Sequence, residues 1–77
     1  MDRTDIHKIW IDNEAIWIET KTGQIGCEHL ADYSRLRNAD RKAIEGYTLS
    51  YYGIHWPELD EDLSFDGFFS NSRMLKA

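Results

Sequence analysis

Seventy-seven residues with a net charge of −5, 42% hydrophobic side chains, three Trp, four Tyr and three Phe describe one small domain, residues 1–77, that packs rather than stays disordered, because large rings supply burial. A single cysteine, Cys27, excludes an internal disulfide and any zinc site built from several thiolates. The acidic balance repels a phosphate backbone, and the lack of a charged leader or of about 18 consecutive apolar residues predicts a protein of the reducing cytoplasm.

Chain order gives the elements. IHKIWID at 6–12 and EAIWIET at 14–20, on either side of Asn13, are rich in β-branched and aromatic residues and predict two antiparallel strands joined by a tight turn. Alternation puts Ile9 and Ile11 on one face with Ile16 and Ile18, and turns Trp10 and Trp17 the other way. The tryptophan face is expected to lie under the C-terminal segment, or else to be an interface. KTGQ turns on Gly23, and QIGCE supplies a short third strand with Ile25 and Cys27 on a common side. Leu30, Tyr33 and Leu36 fall three apart and predict a short helix. Asp40 caps a second one, with Ala43 and Ile44 inward and Gly46 at its end. YTLSYY at 47–52 predicts a fourth strand continuing into IHW past Gly53, stopped by Pro57, which lacks a ladder donor. FDGFF predicts a helical turn capped by Ser64 that folds Phe65, Phe68 and Phe69 over the sheet; the last residues should fray. The fold class is therefore α+β: a three- to four-stranded antiparallel meander with short helices packed on one face.

The segment GIHWPELDEDLSFDG at 53–67 concentrates the chemistry. Asp62, Ser64, Asp66 and Gly67 match the first half of a calcium loop, but Arg73 stands where the bidentate glutamate belongs. His55 beside Glu58, Asp60 and Asp62 has the residue types of a metal-dependent hydrolase or an acid/base pair. No second close histidine, HExxH, glycine-rich phosphate loop or nucleophile elbow completes it. The segment therefore reads as an edge strand and an acidic turn, no cofactor is expected, and the protein is not expected to be an enzyme. Cys27 and His29 could share a side of a strand, the minimum for an activated thiolate; without an orienting third group, Cys27 reads as a small core residue.

GIHWPELDEDLS at 53–64 resembles the signature of a small prokaryotic family catalogued as domain of unknown function 2442. ADYSRLRNAD at 31–40 is similar to another of its segments, with Ser34 where the family usually has proline; FFSNSR also departs from the pattern. The resemblance implies an α+β domain without known catalytic residues. It further implies a member of a toxin–antitoxin-like or regulatory pair, since relatives occur beside other small proteins or joined to a helix-turn-helix domain. The expected function is protein binding to a small basic partner through Trp10, Trp17, His55, Trp56, Glu58, Asp60 and Glu61, because complementary charge steers encounter and aromatics dominate interface energy. Pairing with a second copy is also expected, since small domains gain missing burial that way. One alternative is a DNA-associated regulatory subunit using Arg35, Arg37, Arg41 and Lys42, the basic cluster that precedes thirty residues, 43–72, without a Lys or Arg; a second is a small metal-dependent hydrolase at His55 and the acidic loop.

Overall fold

The first hairpin forms where the sequence alternates most strictly. In the computed structural model, which describes residues 1–69, β1 (Ile6–Ile11) pairs antiparallel with β2 (Ala15–Thr20), and β2 with β3 (Ile25–His29). The register sets Ile9 opposite Ile18, Ile11 opposite Ile16 and Trp10 opposite Trp17, so the isoleucines share the inner face and the tryptophans the outer one. Asp12 organises the turn: its Oδ1 accepts from the N–H groups of Glu14 and Ala15, both at 2.8 Å. These bonds hold the Asp12 carboxyl below the usual range. The second turn rests on Gly23, whose φ of 93° lies in the left-handed region that glycine enters without steric cost.

Strand β3 runs against its own hydrophobic pattern. Gly26 pairs with Ile18 and Glu28 with Ile16, so the inner face receives a glycine and an acid. Ile25 is half-exposed and Cys27 half-buried on the outer face. Gly26 is small enough for Phe68 and Phe69 to lie directly against the strand; a Cβ there would stand 2.6 Å from the Phe68 carbonyl oxygen. Glu28 is buried and hydrogen-bonds the Tyr33 hydroxyl; burial first and this bond second push the Tyr33 phenol up to about 12.

That shift has a sign. A phenol whose folded pKa is raised stabilises the fold fully below the unfolded value of about 10 and loses the contribution as pH rises toward the folded one. Tyr33→Phe should therefore flatten the fall in stability between about pH 10 and 12. At neutral pH it should cost about 1–3 kcal/mol by removing a partner of a buried carboxylate. Urea unfolding across the pH range measures both.

After a 3-10 turn at Leu30–Asp32 come two short helices, α1 (Ser34–Arg37) and α2 (Arg41–Glu45). Asp40 caps α2 through the Ala43 N–H at 2.8 Å, as the sequence predicts. Leu30, Leu36 and Ile44 are buried, with Tyr33 packed beside them.

The second half departs from the predicted single meander. β4 (Thr48–Leu49), β5 (Gly53–Trp56) and β6 (Glu61–Ser64) form a second antiparallel sheet in the order β4-β5-β6. The class is α+β, but among the described residues six strands stand in two sheets. The cause is a turn at 50–53, where the Ser50 N–H donates to the Gly53 carbonyl at 2.9 Å, so IHW returns beside TL instead of continuing it. Segment 53–56 is consequently the central strand of its sheet and not an edge. Pro57 follows its last residue and removes no ladder bond.

The two sheets and the helices enclose one core. Ile16 and Ile18 come from the first sheet, Leu36 and Ile44 from the helices, Ile54, Trp56 and Leu63 from the second sheet, and Phe65 and Phe68 from the tail. The 3-10 turn Asp66–Phe68 is fastened by the Gly67 N–H on Ser64 Oγ at 3.1 Å and by the N-terminal ammonium on Asp66 at 3.1 Å. Residues 71–77, expected to fray, lie outside the described residues.

Candidate functional site

Three surface features gather the residues with chemical potential, and the β5–β6 hairpin is the most charged. Its connection is Pro57-Glu58-Leu59-Asp60. The Leu59 N–H bonds the Trp56 carbonyl at 3.2 Å, the Leu59 side chain packs on the core, and Asp60 adopts φ 53°, which Asp tolerates better than most residues. Glu58 and Asp60 are thereby exposed at the tip, with Glu61 half-buried behind them. Arg35 lies against this turn, donating to the Asp60 carbonyl oxygen with its guanidinium 3.8 Å from the Asp60 carboxylate. An ion pair this exposed contributes little to stability.

On the outer face of the same sheet, register puts Thr48 opposite His55 and His55 opposite Asp62. His55 Nδ1 meets Asp62 Oδ1 at 2.7 Å, a pair able to fix an imidazole tautomer. The hydroxyl of Thr48 is turned to the His55 backbone carbonyl at 3.4 Å rather than to the ring. Among the described residues no three His, Cys, Asp or Glu side chains converge to hold a metal ion. In the calcium-like spacing the oxygens are separately engaged: Asp62 on His55, Ser64 on Gly67, and Asp66 on the N-terminus.

Trp56, expected to face a partner, belongs to the core. It is 1% exposed, its Nε1 donates to the Ile44 carbonyl at 2.7 Å, and Tyr47 packs edge-on against it. The alternation that carries His55 outward carries Ile54 and Trp56 inward.

The outer face of the first sheet is the second feature. Trp10 and Trp17 stack with centroids 6.1 Å apart and planes 6° from parallel, both half-buried. Lys8 Nζ lies 5.1 Å from the Trp10 ring centroid, and Trp17 Nε1 donates to Asp12 Oδ2 at 2.9 Å. Phe65, Phe68 and Phe69 pack toward the inner face, so the described part of the C-terminal segment does not cover the tryptophans. Cys27 is opposite Trp17 on this face and not in the core. Burial first, then the charges of Glu28 and Asp12, push its thiol pKa up, the opposite of activation.

A model of the family described as "Protein of unknown function (DUF2442)" matches residues 6–73. The chain belongs to this family. No curated protein and no solved structure matches it. Within this DUF2442 chain the segment GIHWPELDEDLS is one supersecondary unit: strand, four-residue turn, strand.

The third feature is a groove of about 500 Å³ between the first turn and the two helices, floored by Leu30, Leu36 and Ile44 and rimmed by Asp12, Glu14, Arg37 and Arg41. It separates the basic cluster. Arg35 turns to the acidic hairpin, while Arg41 reaches Glu45 Oε2 and the Ile11 carbonyl, both at 2.8 Å. Arg37 donates to the Ala31 carbonyl at 3.3 Å, and Lys42 is exposed. The four cations do not line one stripe, and acids stand among them.

Sequence reasoning missed Lys8, Asp12 and the Glu28–Tyr33 pair. For Asp12 a signal existed: an Asp two residues before Glu14 at a predicted turn is a ready acceptor for turn N–H groups. For Glu28 none did, since an acid between Cys27 and His29 reads as solvent-facing. Depression of the Asp12 carboxyl implies stability present above the ordinary Asp value near 3.9 and lost as pH falls through the lower folded value. Asp12→Ala should therefore be less stable than wild type at neutrality, and the gap should narrow toward pH 2; acid-range urea titrations of the two read it.

Among the described residues no helix is long and apolar enough to cross a membrane.

Proposed function

We propose that this DUF2442 domain is a non-enzymatic, cytoplasmic protein-binding module, the regulatory or antitoxin-like member of a small two-protein pair, and that its β5–β6 hairpin receives a basic segment of the partner. The observation that carries this is the build of the hairpin tip. Glu58 and Asp60 project from a turn whose conformation is held from below by Leu59 in the core, and Asp62, paired with His55, stands on the outer face of the adjoining strand. A turn fixed before binding spends little ordering entropy at encounter. An excess of carboxylates at this tip, on a chain of charge −5, accelerates association with a basic partner.

Copurification from the native cell tests the reading. A basic protein should come down with wild type, leave as salt is raised, and be lost from Asp60→Lys/Glu61→Lys. Amide resonances of residues 58–62 should shift when the captured protein is added back. Capture that ignores both salt and charge reversal sinks it.

A further inference from the structure

We infer that the outer face of the first sheet is a self-complementary interface that pairs two copies of this chain about a two-fold axis. The inference is independent of the acidic hairpin, which lies in the other sheet. Its basis is an order of charges along one strand. The Trp10–Trp17 stack has a cation at one end, Lys8 over the Trp10 ring, and an anion at the other, Asp12 at the Trp17 indole N–H. Register fixes the rest of the face: Lys8, Glu19 and Ile25 form one row, and Trp10, Trp17 and Cys27 the next.

Set a two-fold axis along the Trp10–Trp17–Cys27 row, perpendicular to the strands. Each copy then lays β1 antiparallel over the other's β1. Trp10 and Trp17 meet their own counterparts on the axis, and Lys8 of each copy meets Asp12 of the other. A dyad is the operation that turns an end-to-end charge asymmetry into two identical attractive pairs. Glu19 shares the Lys8 row and falls opposite Ala15 of the other copy, so it meets no like charge across the dyad. Half-exposed Ile25, 51% exposed, gains burial in the same step.

Size sets the strength. Three strands about 4.8 Å apart and about five residues of roughly 3.4 Å each cover only a few hundred Å², well below the roughly 800 Å² per partner of a standard interface. The dimer is accordingly weak and concentration-dependent. It is also independent of thiol oxidation: sheets packed face to face stand about 10 Å apart, too far for a Cys27–Cys27 bridge, whose Cα atoms need to be within about 7 Å.

The three indole N–H resonances read the interface directly. Diluting wild type from millimolar to micromolar should shift the Trp10 and Trp17 indoles on one binding curve, leave the core Trp56 indole still, and proceed identically with and without reductant. Lys8→Asp, a change at an exposed position, opposes like charges across the dyad and should weaken the dissociation constant at least tenfold. Mixing Lys8→Asp with Asp12→Lys should restore pairing, because every cross-dyad contact is then again opposite in sign. Indoles that do not respond to concentration, a response confined to residues 57–62, or an unchanged constant for Lys8→Asp would each overturn the dimer. If Asp12→Lys does not fold, the dilution series and Lys8→Asp decide alone.

Discussion

Trp56→Ala is expected to cost about 3–5 kcal/mol, the range for removing a large buried aromatic side chain. A domain of 77 residues holds a total of roughly 4–12 kcal/mol at about 0.05–0.15 kcal/mol per residue, so this one change is enough to leave much of the protein unfolded at physiological temperature. Two losses combine. The ring is almost wholly enclosed, touching both the second sheet and the helical layer, so its cavity cannot collapse without moving several elements. Its indole also satisfies the Ile44 carbonyl at 2.7 Å, next to the end of α2, where helix carbonyls lack intrahelical donors. Trp56→Phe separates the two terms: it keeps most of the ring, removes the donor, and should cost about 1–3 kcal/mol for an acceptor left unpaired. Urea unfolding of the three proteins measures the series. Equal losses for Phe and Ala would mean that the hydrogen bond, not the packing, holds the helix against the sheet.

The same residue shows how far the sequence could be read. The first hairpin was legible because its isoleucines alternate without interruption, and its register follows from that period alone. Asp40 and Gly46 marked the ends of α2 for equally local reasons. The second sheet was not legible, since Thr48–Leu49 contributes only two residues and nothing local distinguishes a strand that continues past Gly53 from one that turns back before it. That ambiguity fixed the error at the candidate site: with 53–56 taken as an edge, Trp56 seemed free to face a partner, whereas a central strand buries one face against the core. Strand β3 misled for a different reason. Its inward residues are chosen by what lies on them, the Phe68–Phe69 backbone and side chains over Gly26 and the Tyr33 hydroxyl at Glu28, and those contacts come from far along the chain. The carboxylates of the hairpin were identified from composition; only the turn geometry revealed which of them reach solvent.

Gly53→Ala is the second change with a large expected effect, and it tests the central placement of β5. Gly53 pairs with Ser64, and a Cβ added there would overlap the Leu63 carbonyl oxygen and lie 3.0 Å from Ser64 Cα. These are backbone atoms of the neighbouring strand and cannot swing aside as a side chain tip could. Relief requires β6 to move off β5, which lengthens ladder bonds and loosens Leu63 and Phe65 in the core. Overpacking of this kind costs about 1–3 kcal/mol and occasionally more, whereas Gly→Ala in an unstrained site gains about 0.4–1 kcal/mol by restricting the unfolded chain. Gly46→Ala supplies the matched control, because a Cβ there meets nothing nearer than the Ala43 carbonyl at 3.4 Å, an ordinary contact, with φ −82°. The pair should therefore move in opposite directions: Gly53→Ala down by about 2–3 kcal/mol, Gly46→Ala level or slightly up. Hydrogen exchange adds the location, since loosening of β6 from β5 should expose the amides bridging residues 53–56 and 61–64 while leaving those of the first hairpin protected. Were Gly53→Ala as stable as wild type, the two strands could not lie as close as the β5–β6 register requires, and the rigid footing of the acidic turn would go with it.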